Sequence, residues 1–180
     1  MAADATSGAQ LTEFYDSAGC GAAISVDAPQ NVDWDDSFDV LVVGFGGAGV
    51  AAAIEARDNG ASVAAIDRFE GGGATATSGS VYYSGGGTPL QKQNGVDDSP
   101  ENMEAYLLPE VGNAVSPATV HAFCQNALAN YDWALANGVR FGGKALPGKT
   151  TYPPHGYGLY YSGNESLKSS QTRASAAQRG

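Results

Sequence analysis

The residues best placed to do chemistry are Gly44-Phe45-Gly46-Gly47-Ala48-Gly49, set between the run Asp39-Val-Leu-Val-Val and the stretch Ala51-Ala-Ala-Ile54. Glycines at the first, third and sixth places have separate jobs at an anion site. The first permits a sharp turn off a strand, the second lets a pyrophosphate approach bare backbone, and the third lets a helix sit close to a sheet. A helix N-terminus at that point offers free N–H groups and partial positive charge. That is worth roughly 0.3–1 kcal/mol toward an anion, and up to ~2 kcal/mol when partly buried. Asp67 stands 18 residues beyond Gly49, where a carboxylate can accept from ribose hydroxyls. Its charge disfavours a 2′-phosphate, whereas the adjacent Arg68 is of the type that accommodates one. The pattern reads as a site for the ADP half of a dinucleotide.

Such a site needs a frame, and the flanking residues predict one. Asp39 to Gly44 is a β-branched and aliphatic run ending in glycine, the form of a strand buried on both faces. Residues 47–59 read as a helix closed by Gly60, and Ser62 to Asp67 as a second aliphatic strand. Strand, tight turn, helix and strand in under about 30 residues make a parallel βαβ unit. The predicted fold class is therefore α/β, a Rossmann-like FAD/NAD(P)-binding fold.

Farther along, residues 71–87 hold seven of the chain's 25 glycines, among Ala, Thr and Ser. A loop of that length inside a domain is usually functional or disordered. Ser99-Pro100 and Ser116-Pro117 each place a hydroxyl N-cap before a proline at the first helical position. The second of these helices carries Val120, Phe123, Cys124, Ala127, Leu128, Tyr131 and Leu135 on one face, and Gly138 ends it. Residues 142–164 read as a Gly/Pro/Tyr-rich loop, and 168–180 as a polar basic tail. Residues 1–38 read as an acidic, flexible leader, with Leu11, Phe14 and Tyr15 as a short helical turn and Trp34 as a candidate anchor.

The stretch after Asp67 indicates which dinucleotide is bound. Gly72-Gly-Ala-Thr75-Ala-Thr-Ser78-Gly79-Ser80 and Gly85-Gly-Gly-Thr88 are small, hydroxyl-bearing segments suited to wrapping a long polar cofactor. This combination resembles the FAD-binding domain of the fumarate reductase and 3-ketosteroid dehydrogenase superfamily of flavoproteins. Trp34-Asp-Asp, Ser99-Pro-Glu-Asn102, Trp133-Ala-Leu-Ala-Asn-Gly138-Val, Thr151-Tyr-Pro-Pro and Leu159-Tyr-Tyr-Ser-Gly-Asn-Glu165 extend the resemblance over about residues 33–180. It is strongest toward the 3-ketosteroid dehydrogenase-like branch.

The resemblance implies FAD as cofactor. It assigns Gly44, Gly46, Gly47, Ala48 and Gly49 to the pyrophosphate, and Asp67, with Arg68 beside it, to the adenosine ribose. Gly73, Ala74, Thr75, Ser78 and Gly79 then line the path to the ribityl chain and flavin ring. The family usually has serine at the place of Ala74 and often glycine at that of Ser80. The implied reaction is oxidation of a CH–CH bond beside a carbonyl, a base taking the α-proton and flavin N5 a hydride. A 3-ketosteroid is the expected small-molecule substrate, and the electron acceptor is left open. Fumarate-like dicarboxylates are the alternative; they need arginine clamps, and only Arg57, Arg68, Arg140, Arg173 and Arg179 are present. With two clear parallel strands, residues 39–180 read as the N-terminal part of an FAD-binding domain, ahead of a substrate domain. In a different class stands a non-catalytic nucleotide-binding module, which would bind ADP and no flavin.

Charge and composition narrow the classes. Residues 1–56 hold nine acids and no base, whereas 57–180 hold ten acids and nine bases. No basic footprint for nucleic acid and no polybasic run for anionic lipid exists. The uncharged aliphatic run Val40 to Ile54 has 15 residues with four glycines, too short to span a bilayer. No secretory signal is expected, because the start lacks a basic n-region and an apolar h-region. Cys20 and Cys124, without CxxC or a histidine cluster, read as reduced thiols of a cytoplasmic protein. His121 and His155 read as structural or solvated, with no metal site expected. Tyr82, Tyr83, Tyr152, Tyr157, Tyr160 and Tyr161 read as packing groups with solvated hydroxyls. No residue of this chain is assigned as the catalytic acid or base.

Overall fold

The computed structural model describes residues 28–79 and 81–180. The expectations for Leu11, Phe14, Tyr15, Cys20 and Ser80 lie outside the described residues. Two compact units divide the chain, residues 1–71 and 72–180.

In the first unit a short 3-10 turn (Pro29–Asn31) precedes strand β1 (Val40–Val43), helix α1 (Gly47–Asp58) and strand β2 (Val63–Ile66). The strands pair in parallel, with Val40 opposite Val63 and Val43 opposite Ile66. This is the βαβ unit expected from the β-branched runs and the alanine-rich segment between them. Its open end is tied by Asp39, whose Oδ2 accepts from the Ser62 N–H at 2.8 Å and the Ser62 hydroxyl at 2.7 Å. In return the Asp39 N–H donates to Ser62 Oγ at 3.0 Å.

Strand β1 is not buried on both faces. Val42 faces α1, its Cγ1 lying 3.3 Å from where a Cβ on Gly49 would stand. On the alternate positions Leu41 is 55% exposed and Val43 77%, with Ile66 opposite Val43 at 50%. One helix covers only one face of a two-stranded sheet, and parallel sheets ordinarily require cover on both.

The second unit comprises α2 (Gly73–Ala76), α3 (Pro89–Gln93), α4 (Pro100–Val111), α5 (Pro117–Ala136), β3 (Lys144–Lys149), β4 (Tyr157–Tyr161) and α6 (Lys168–Gln171). The Ser-Pro signals start α4 and α5 as expected: Ser99 and Ser116 each accept from the backbone N–H three residues on. Thr88-Pro89 does the same for α3, where Gln91 completes a capping box. Helices α4 and α5 pack through Met103, Val120, Cys124 and Ala127, all buried, flanked by Tyr83, Leu107, Leu108 and Val111. Burying a side chain such as Met103 contributes roughly 1.5–3 kcal/mol. The buried face of α5 is narrower than its pattern predicts: Ala134 is buried, whereas Phe123 and Leu135 stay exposed.

Two other segments depart from expectation. The stretch 142–164, expected as loop, contains the parallel pair β3–β4, with two register shifts. Its Gly and Pro content hid a pairing made mostly through backbone groups. The tail, expected as polar and basic, turns inward at its end, where Ala174, Ala177, Arg179 and Gly180 are buried. The Ser84 N–H donates to the Arg179 carbonyl at 2.9 Å, and the Tyr160 N–H to the Gly180 carbonyl at 2.9 Å. Asn102 binds the same segment like a second strand: its Nδ2 donates to the Ser175 carbonyl at 3.0 Å, and its Oδ1 accepts from the Ser175 N–H at 2.7 Å.

Candidate nucleotide-binding site

The β1–α1 turn is held from one side by the end of β2. Gly44, at φ +98°, donates its N–H to the Ile66 carbonyl at 2.8 Å, continuing the strand ladder. Gly46 is extended and caps α1 with no side-chain hydrogen bond. Val50 is the residue whose N–H reaches back to the Gly46 carbonyl, at 2.9 Å. The N–H groups of Gly47, Ala48 and Gly49 thus lack intrahelical acceptors, as helix geometry requires of the first turn. A Cβ on Gly49 would run into the Gly44 carbonyl oxygen, so only glycine lets α1 start this close to the strand. No atom lies within 4 Å of where a Cβ on Gly44 would be. Bare backbone, free donors and open space fit a pyrophosphate.

Asp67 follows β2 and closes on the same turn. Its Oδ2 accepts from the Phe45 N–H at 2.6 Å, and its Oδ1 from the Phe69 N–H at 2.9 Å. These donors, Phe69 first and Phe45 second, hold the carboxyl below the ordinary range. Each oxygen keeps lone-pair capacity for a ribose hydroxyl. Arg68 places its guanidinium 5.1 Å from the centre of the exposed Phe69 ring. Gly44, Gly46, Gly47, Ala48, Gly49, Asp67 and Arg68 are thereby gathered around one turn. The Phe45 and Phe69 donors were invisible in sequence, because a backbone N–H has no residue-type signature.

Gly73, Ala74, Thr75, Ser78 and Gly79 form an exposed turn in the second unit, built on the single helical turn α2. The Ser78 hydroxyl donates to the Thr75 carbonyl at 2.8 Å, and the Thr77 hydroxyl to the Ala74 carbonyl at 3.1 Å. Gly85, Gly86 and Gly87, expected beside the cofactor, are buried against a different partner. A Cβ on Gly85 would stand 2.7 Å from both Arg179 Cδ and Asp98 Oδ2. Gly85 thus makes room for a buried ion pair, whereas a Cβ on Gly86 would meet Pro100.

Burial works against ionising several tyrosine hydroxyls. Burial pushes Tyr82, Tyr83, Tyr131 and Tyr160 up, and Tyr106 up to about 12. That direction is opposite to what proton abstraction near neutral pH needs. His121 Nδ1 lies 2.9 Å from Glu104 Oε2, a carboxylate on α4 that sequence spacing does not bring near it. Among the described residues no group of three or more His, Cys, Asp or Glu could hold a metal ion. Among them, too, no helix is long and apolar enough to cross a membrane.

Comparison with known proteins bears directly on this site. A family model for the FAD binding domain matches residues 39–176. The chain is 44% identical over 146 residues to a 3-oxo-5-alpha-steroid 4-dehydrogenase of Comamonas testosteroni, covering 81% of this chain and 27% of that protein. It is 37% identical over 106 residues to a fumarate reductase (cytochrome) of Shewanella frigidimarina, covering 58% of this chain and 18% of that protein. In three dimensions it is similar to the crystal structure of 3-ketosteroid-delta4-(5alpha)-dehydrogenase from Rhodococcus jostii RHA1 in complex with 4-androstene-3,17-dione. That match has a TM-score of 0.76 at 42% identity, covering 85% of this chain and 32% of the other. The chain spans between 18% and 32% of the length of these relatives.

Proposed function

The chain belongs to the FAD binding domain family, and on that premise we propose that it is the FAD-binding part of an oxidoreductase that oxidises a carbon–carbon bond beside a carbonyl, with a 3-ketosteroid as substrate. The observation that carries the proposal is the side-chain-free N-terminus of α1, with Asp67 closing the turn from the end of β2. The N–H groups of Gly47, Ala48 and Gly49 receive the pyrophosphate, and Gly46 leaves room for its approach. Asp67 accepts from the adenosine ribose on lone pairs that Phe45 and Phe69 leave free. Gly73, Ala74, Thr75, Ser78 and Gly79 are assigned to the ribityl and ring side of the cofactor by resemblance alone. FAD, when bound, supplies a two-electron acceptor at the reacting carbon.

Support for the steroid comes from the dehydrogenase similarities, one of them to a structure holding 4-androstene-3,17-dione. The fumarate reductase similarity supports a dicarboxylate as second reading. A dicarboxylate site needs uncommitted arginines, and Arg179 is already paired with Asp98 inside the second unit.

The test is flavin capture followed by turnover. The purified polypeptide is titrated with FAD, with ADP and FMN as competitors, and FAD is expected to be displaced by ADP and not by FMN. Because the FAD-binding part alone is not expected to turn over, a flavin-loaded protein that also carries the substrate domain is assayed with a 3-ketosteroid plus an artificial electron acceptor, and with fumarate plus a reduced dye. Steroid-dependent dye reduction supports the proposal. Turnover of fumarate alone replaces it with the second reading, and failure to bind FAD removes the oxidoreductase proposal.

A further inference from the structure

The end of the β1–β2 ladder is followed directly by a backbone-to-side-chain bond. The Gly44 N–H uses the Ile66 carbonyl at 2.8 Å, and the next donor, the Phe45 N–H, uses the Asp67 carboxylate at 2.6 Å. A side-chain carboxylate thus holds the first peptide beyond the ladder. The same carboxylate accepts from the Phe69 N–H two residues on, which fixes its own orientation. Phe45 lies between Gly44, which turns the chain, and Gly46, which caps α1. Its peptide therefore sets the direction from which the N–H groups of Gly47 to Gly49 face a ligand. A carboxylate beside a pyrophosphate site would repel the ligand if its charge were bare. Two N–H donors, one on each oxygen, direct their positive ends at that charge.

We propose that Asp67 is a positioning residue for the pyrophosphate-binding turn, acting through the Phe45 N–H, in addition to and independently of any contact with ribose. The proposal rests on the nucleotide-site reading above. It explains why an acid can stand so near an anion site, and why that acid follows β2 directly. A ribose acceptor alone would not need a 2.6 Å bond to the glycine turn.

A ligand without ribose hydroxyls separates the two roles. Wild-type polypeptide, Asp67→Asn and Asp67→Ala are titrated with ADP and with 2′,3′-dideoxy-ADP, and exchange of the Phe45 amide hydrogen is followed in each. Asp67→Ala is expected to weaken 2′,3′-dideoxy-ADP about tenfold, the scale of one lost hydrogen bond to a charged acceptor, and to speed Phe45 exchange by a similar factor. Asp67→Asn, which keeps one carbonyl acceptor and the side-chain volume, is expected to fall between and serves if the alanine variant does not fold. The proposal is overturned if either folded variant binds 2′,3′-dideoxy-ADP within about twofold of wild type with unchanged Phe45 exchange. Wild type that binds neither nucleotide sinks the site reading instead, and Phe45 exchange then still decides whether Asp67 holds the turn.

Discussion

Arg179 grips Asp98 at two points inside the second unit: Nε to Oδ2 at 2.8 Å and Nη2 to Oδ1 at 2.8 Å, with both side chains fully buried. The carboxylate also accepts from the Gly86 N–H, Gln91 Nε2 and Asn102 Nδ2. The guanidinium stands 5.3 Å from the centre of the Tyr106 ring. Burial penalises both charges, yet the pairing outweighs it in each: Asp98 is held below its ordinary value and Arg179 above. One residue of the tail thus joins the glycine loop, α3 and α4.

Removing one charge should cost more than removing both. Arg179→Met leaves Asp98 buried without its cation, and about 3–5 kcal/mol of stability is expected to go with it. Adding Asp98→Asn should cost less than the sum of the single changes, because no unpaired charge remains. Urea midpoints of the three variants measure this. Additive losses would mean that the pair is not coupled as its geometry implies.

Two glycines around α1 should behave differently when changed to alanine. At Gly49 the new Cβ meets the Gly44 carbonyl oxygen, so α1 must shift away from the strand. A loss of about 1–3 kcal/mol is expected, together with loss of nucleotide binding. At Gly60, φ is +87° but nothing lies within 4 Å, so only backbone strain of about 1–2 kcal/mol is expected, with binding kept. Thermal midpoints and ADP titration separate the two cases.

Acid should loosen both units. The carboxyls of Asp39, Asp67 and Asp98 all lie below the ordinary value of 3.8. Ser62 hydroxyl and backbone donors act on Asp39, and the Phe69 and Phe45 N–H groups act on Asp67. At Asp98 burial works upward, and the Arg179 bonds and charge overcome it. A carboxyl depressed on folding contributes stability that is complete above its unfolded pKa and is lost as pH falls through the folded one. Stability should therefore be flat from neutral pH down to about pH 5 and decline below about pH 4. Asp67→Asn should make the decline shallower. A urea midpoint series across that range decides, and an unchanged slope in the variant would remove Asp67 from the account.

Cys124 is fully buried in the α4–α5 core, and burial pushes its thiol up to about 11. In a Cys20→Ser background, Ellman's reagent at about pH 8 should find no reactive thiol in the native protein and one after denaturation. Rapid native reaction would show that α5 opens readily.

Much of this protein was legible from residue order because the relevant rules are local. The strand–turn–helix at 39–60 follows from hydrophobic runs and glycine spacing, and the starts of α4 and α5 from Ser-Pro pairs. Each depends on neighbours within about one helical turn. Other features needed the folded chain. Phe45 and Asp67 meet across 22 residues, and Asp98 and Arg179 across 81. No propensity or period links such positions; they pair because a buried or strand-end polar group must find a partner wherever the chain brings one. The same reason accounts for Gly85, which the sequence offers as cofactor backbone and the tertiary structure spends on making room for Arg179. The sequence by itself determined that a glycine turn forms between β1 and α1. Only the tertiary structure decided that the Asp67 carboxylate, through a backbone amide with no sequence signature, is bonded to that turn.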